Sequence, residues 1–274
     1  MNLRERIESA FESKLPDEEA LLSFRELMTQ LNEGRIRAAE KKENGWVVND
    51  WVKKGILLGF RLGTIQDMSI DSRFAFFDKT TFPLKSFTPD ASIRLVPGGS
   101  SVRDGCYIGK NVILMPPMYV NVGAYVDDGT MVDSHVLVGS CAQIGKRVHL
   151  SAGTQIGGVL EPVGSVPVVI EDDVLIGGLC GIFEGVVVCE KAVIGAGTII
   201  TGSTPVQDLV RGEVYSKTGG HPLVIPPGAV VIPGTRPVLK GIGKELGLSV
   251  YAPIIVKYRD QKTDQAVRFE EWLR

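Results

Sequence analysis

Residues 119–156 read YVNVGAYVDDGTMVDSHVLVGSCAQIGKRVHLSAGTQI. Val120, Val126, Val132, Val138, Ile144, Leu150 and Ile156 occupy every sixth position of this stretch. The count extends back to Ile108 and Leu114. It resumes at Ile170 and runs through Ile176, Ile182, Val188, Ile194, Ile200 and Val206, then reaches Ile225 and Val231 after a second break. A period of six matches neither a 3.6-residue helix nor the two-residue alternation of a strand. It is the repeat of a parallel β-helix, in which each hexad supplies a short strand and a turn, and three hexads close one coil. The aliphatic points inward and stacks on its counterparts in adjacent coils. Glycines recur at corner positions such as Gly123, Gly129, Gly153 and Gly197, where positive φ is expected. About six coils give a prism roughly 30 Å tall.

Outward from this prism the chain divides into three. Residues 1–91 read as an α-rich cap, 92–236 as the β-helix and 237–274 as a small extension. In the cap, Leu3, Ile7, Ala10 and Phe11 form one helical stripe, Leu21, Phe24, Met28 and Leu31 a second, and Trp51, Ile56, Leu57 and Phe60 a third over residues 50–62. A hairpin turning at Glu43-Asn44-Gly45 joins the last two, and Lys53 and Lys54 read as solvated. Arg73, Phe74, Phe76 and Phe77 are expected to pack the cap on the prism. The extension reads as a strand over 249–258 and a helix over 264–273. The two breaks eject loops containing Glu161, Pro162 and Gly164, and Arg211, Glu213, Lys217 and His221. Corners tolerate such insertions because the stacked column is undisturbed.

The chain has 274 residues, with 30 Lys plus Arg, 32 Asp plus Glu and a net charge of −2. Such a balance offers no general attraction for nucleic acid or an acidic membrane. No apolar run reaches transmembrane length and the charged start is unlike a signal peptide, so a cytoplasmic location is expected. The four cysteines lack metal-ligand spacing and read as reduced packing thiols.

The run 119–133, with Val138–Lys146, Gly157–Pro162, Arg37-Ala-Ala-Glu-Lys41 and Trp51-Val-Lys-Lys54, closely resembles the tetrahydrodipicolinate N-succinyltransferases. The resemblance implies a left-handed β-helix, a homotrimer with sites between subunits, and succinyl transfer from succinyl-CoA to the amine of 2-amino-6-oxopimelate in lysine and diaminopimelate synthesis. No metal is implied. Arg94 matches the arginine that binds a substrate carboxylate, a role suited to a guanidinium fork. Asp133 matches the aspartate at the acceptor amine, as substrate ligand and catalytic base. A carboxylate is ordinarily a weak base at neutral pH, so the cleft would have to raise its affinity for a proton. Gly195 and Gly197 are expected along the coenzyme's pantetheine arm, and Lys262 near its phosphates.

One stretch departs from the family. An arginine-serine-glutamate run is replaced by Leu179, Cys180 and Gly181, leaving Glu184 as the second candidate acid–base residue. This leaves open an acetyl donor or another amino-dicarboxylate acceptor. His135 and His149 keep open a histidine base, which some prism acetyltransferases use. Three-histidine zinc sites of prism carbonic anhydrases have a different spacing. A non-catalytic scaffold is the reading from another class.

Overall fold

A computed structural model describes residues 1–13 and 18–260. Three parallel walls form a β-helix. The first wall runs from Arg94–Leu95 through Ile113–Leu114, Met131–Val132, His149–Leu150, Leu175–Ile176 and Val193–Ile194 to Ala229–Ile232. The second runs from Ser101–Val102 through Tyr119–Val120, Leu137–Val138, Gln155–Ile156 and Gly181–Ile182 to Ile199–Ile200. The third runs from Tyr107–Ile108 through Tyr125–Val126, Gln143–Ile144, Val169–Ile170 and Val187–Val188 to Val224–Ile225. Each strand is short because the turn follows within the same hexad. Val126, Val132, Val138, Ile144, Leu150 and Ile156 are fully buried in the shared core. Register is strict: Val132 pairs Leu150, which pairs Ile176, which pairs Ile194.

Two details of the repeat differ from expectation. The coils begin earlier, at Arg94–Leu95 and Ser101–Val102, where the turn at Pro97-Gly98-Gly99 stretches the spacing to seven. Val206 keeps the six-residue spacing but leaves the prism. Its strand, Val206–Asp208, pairs antiparallel with Glu213–Tyr215 and parallel with Ile254–Tyr258, capping the core end. The second excursion therefore runs from Ile200 to Val224. The expected 249–258 strand is two strands, Ser249–Tyr251 and Ile254–Tyr258, because Pro253 cannot donate to a ladder. A short helix, Gly241–Glu245, precedes them. The expected terminal helix lies outside the described residues.

The cap holds α1 (Leu3–Glu12), α2 (Glu18–Asn32), the hairpin β1 (Ala39–Lys42) and β2 (Gly45–Val48), and α3 (Asp50–Leu62). Asn2 and Glu5 form a capping box at α1. Ile7, Phe24, Leu27, Leu31, Val52 and Ile56 make the cap's own core. Gly59 faces Phe24 and Phe82 so closely that a Cβ would have no room. The cap docks on the third wall. The Arg37 guanidinium lies 3.6 Å above the Tyr125 ring, and its Nε donates to Gln143 at 2.9 Å. Trp46 Nε1 donates to Glu171 at 2.8 Å.

Phe74, Phe76 and Phe77 do not pack the cap on the prism; all three are exposed. Phe82 packs within the cap against Phe24 and Phe60, with the Arg103 guanidinium 5.7 Å from its ring, and an Asp78–Arg103 ion pair ties the Phe77–Lys79 strand to the second wall. Lys53 is not solvated either: it is fully buried. Lys54 keeps a half-exposed pairing with Asp50 at 3.5 Å. Among the described residues no helix is long and apolar enough to cross a membrane.

Candidate active site

Asp133 follows the inward Val132 and so falls at the corner between the first and second walls. Its Oδ1 accepts the Ser134 N–H at 2.7 Å, which fixes the carboxylate against the turn. Its Oδ2 lies 3.8 Å from Nε2 of His149. His149 reaches it because the register sets His149 beside Met131 in the next coil, with its side chain turned away from the inward column and mostly covered. Of the three histidines, His149 is the one brought within 4 Å of this carboxylate; His135 occupies a corner of its own with φ of 61°. Sequence reasoning weighed His149 but did not pair it with Asp133. The eighteen-residue coil offset from Met131 was the signal available.

Along the same corner, the coils beyond Asp133 carry Ser151, Gly177 and Gly195. Beyond Ser151 this edge is therefore bare backbone. At Gly177 an added Cβ would lie 2.6 Å from the Ala196 nitrogen, and at Gly195 3.1 Å from the Val231 carbonyl oxygen. Coil stacking alone thus accounts for these two glycines. Gly197 differs: its φ is +75° and nothing lies near an added Cβ, so space is open beside it. Arg94 is exposed on the first wall, with Ile113 and Met131 in register above it. That places it two coils, about 10 Å along the axis, from the level of Asp133.

Glu184 sits at a different corner, between the second and third walls, with φ of 56°. It lines a cavity of about 880 Å³ walled by both excursions from the coils, with Glu161, Ser165, Phe183, Thr201 and Lys217. Within one chain the fold does not bring Glu184 and Asp133 together. They occupy opposite edges of the second wall, two coils apart.

The departing run is apolar in structure as in sequence. Leu179 is exposed with φ of 59°, and the Cys180 thiol is buried, donating to the Gly195 carbonyl at 3.1 Å. Burial pushes the Cys180 thiol up from its ordinary range. The Phe183 ring covers the space a side chain at Gly181 would fill and also overlies Gly157. Lys262 lies outside the described residues.

Residues 2–62 match the model of the tetrahydrodipicolinate N-succinyltransferase N-terminal region, and residues 167–202 that of the hexapeptide repeat of succinyl-transferase. A 2,3,4,5-tetrahydropyridine-2,6-dicarboxylate N-succinyltransferase of Polynucleobacter asymbioticus is 44% identical over 279 residues, covering 98% of this chain and 97% of the relative. The chain belongs to this family. A relative of the same name from Dechloromonas aromatica is 43% identical over 93% of the chain and 90% of its own length. A Campylobacter jejuni crystal structure, described as a candidate 2,3,4,5-tetrahydropyridine-2-carboxylate N-succinyltransferase, superposes with a TM-score of 0.58 at 16% identity. It covers 90% of this chain, which spans 64% of that longer one, and it supports the fold. The sequence likeness spans both the cap and the coils.

Proposed function

We propose that the chain moves the succinyl group of succinyl-CoA to the amine of ring-opened tetrahydrodipicolinate, 2-amino-6-oxopimelate, in the diaminopimelate route to lysine. The observation that carries this reading is the 44% identity to a like-named enzyme over nearly both full lengths. The neutral amine attacks the thioester carbonyl and forms an N–C bond. The tetrahedral oxyanion then collapses, the C–S bond breaks and coenzyme A leaves as its thiol(ate). The amine's proton needs an acceptor. Asp133 orients the amine and takes that proton, with His149 at 3.8 Å as the next group able to hold it. Arg94 clamps an acceptor carboxylate. The pantetheine arm follows the bare corner beyond Ser151 toward Gly195 and Gly197, and Lys262 meets the phosphates.

Asp133 and Glu184 stand at opposite edges of one wall, so a single chain supplies each to a different cleft. In a homotrimer, the Asp133 corner of one subunit would face the Glu184 cavity of the next, and a complete site would take both. Thiol release from succinyl-CoA and acetyl-CoA, with tetrahydrodipicolinate and a panel of amino-dicarboxylates, tests the assignment. Release is expected with succinyl-CoA and tetrahydrodipicolinate together. Release with another amine and none with tetrahydrodipicolinate would overturn it. A second reading, the same N-acyl transfer with another donor or acceptor, is favoured by the apolar wall that Phe183 makes over Gly181.

A further inference from the structure

Lys53 is among the largest fully buried side chains of the described residues, and burying an ammonium is costly unless it has partners. Its Nζ donates to the backbone carbonyl of Ser165 at 2.5 Å, across 112 residues of sequence. Lys53 belongs to α3 of the cap, and Ser165 to the excursion between Ile156 and Val169 that walls the Glu184 cavity. That excursion has few other ties. Ser165 N–H donates to Pro162 within the loop, Val159 N–H reaches Ser140, and Leu160 rests on the cap core. Among the described residues, no other hydrogen bond joins residues 160–166 to a different part of the chain. Val166 continues the wall, with its carbonyl oxygen pressed against Gly185, next to Glu184.

We infer that Lys53 is a positioning residue: from behind the cavity it pins the Ser165 carbonyl, holding residues 160–166 in the shape that frames Glu184. The ammonium never meets substrate, since its end is sealed from solvent. It acts through the loop, and the cap thereby sets the form of a site built on the coils. This rests on the proposed transfer reaction for its kinetic consequence, though not for its structural one. A carbonyl acceptor cannot be removed by substitution, so the donor is the place to intervene. The volume-matched Lys53→Met keeps the packing and deletes the hydrogen bond.

Two readouts on full-length protein decide it. Hydrogen exchange in residues 157–168 of Lys53→Met is expected to quicken about tenfold, while the coil strands keep their protection. Succinyl transfer is expected to show KM raised about tenfold with kcat changed far less, because a displaced wall weakens binding before chemistry. Lys53→Arg, which keeps a charged donor, is expected to recover part of both. If Lys53→Met does not fold, Lys53→Gln, one bond too short to reach Ser165, is expected to give the same pair of changes. Wild-type loop exchange and wild-type KM in whichever variant folds would overturn the inference. If the unmodified protein releases no thiol from succinyl-CoA, the reaction assignment falls by itself, and loop exchange alone then decides the role of Lys53.

Discussion

The carboxylate of Asp133 and the imidazole of His149 meet at 3.8 Å because one coil of the prism lifts the chain by a single strand spacing and returns it to the same wall. The pair is a product of register. Any one-residue slip would turn His149 into the core and leave Asp133 without it.

If the amine is activated at this pair, the two members are not equivalent. Asp133→Asn keeps the shape and the Ser134 hydrogen bond but loses the basic oxygen. It is expected to lower kcat by about 10²–10⁴-fold, with CoA affinity intact by calorimetry. His149→Gln is expected to cost less, about tenfold in kcat. A near-normal rate for Asp133→Asn would remove it from the reaction.

The corner glycines separate stacking from ligand approach. Gly139→Ala would drive a Cβ into the Gly158 backbone of the next coil, whereas Gly197→Ala meets open space and pays only for its positive φ. Gly197→Ala is expected to cost about 1–2 kcal/mol of stability, and Gly139→Ala more. Leu150→Ala, in the fully buried column, is expected to cost about 2–5 kcal/mol. Urea unfolding ranks the three. Gly197→Ala is also expected to weaken CoA binding, which Gly139→Ala is not.

Burial pushes the Lys53 amine below its ordinary 10.5, with the Cys141 thiol facing it and itself pushed up to about 12 by burial. The unfolded chain then binds this proton more tightly than the folded one. The lysine's burden on stability is full below its folded pKa and is relieved as pH rises toward 10.5. Relative to Lys53→Met, the wild type is therefore expected to gain stability between neutral pH and about pH 10. Urea midpoints at the two pH values measure it, and a constant gap would contradict the sign.

If acyl or acceptor choice is made at this cavity, the apolar wall that the Phe183 ring forms over Gly181 takes part in it. Phe183→Ala is expected to shift the ratio of kcat/KM for succinyl-CoA and acetyl-CoA by about tenfold, read by thiol release with each donor. An unchanged ratio would place the ring outside the selectivity of the site.

Much of this was legible in the sequence because the prism writes its geometry as a period. Six-residue spacing located the inward column, and the 8 extra residues between Ile156 and Ile170 marked the loop that walls the cavity. The same spacing misled at Val206, where the interval fits but the partner is Ile254–Tyr258, a pairing that no local interval encodes. Val102 keeps the count, six residues before Ile108, but Leu95 is set off from it by one extra corner residue that breaks the count without breaking the ladder. Lys53 escaped because a lysine reads as solvated. Yet Val52 and Ile56 place it within the buried arc of α3, and its acceptor lies 112 residues away. Phe74, Phe76 and Phe77 misled the other way, since hydrophobicity gives no direction to a hairpin that stands off the surface.

The proposal that Asp133 of one subunit and Glu184 of another complete each site is open to a subunit-mixing experiment. Asp133→Asn and Glu184→Gln, each inactive alone, are unfolded together, refolded as a mixture and assayed for succinyl transfer. Random assembly into rings is expected to restore about a quarter of wild-type activity, because one pairing in four unites both intact residues. No recovery in well-formed mixed assemblies would contradict the account.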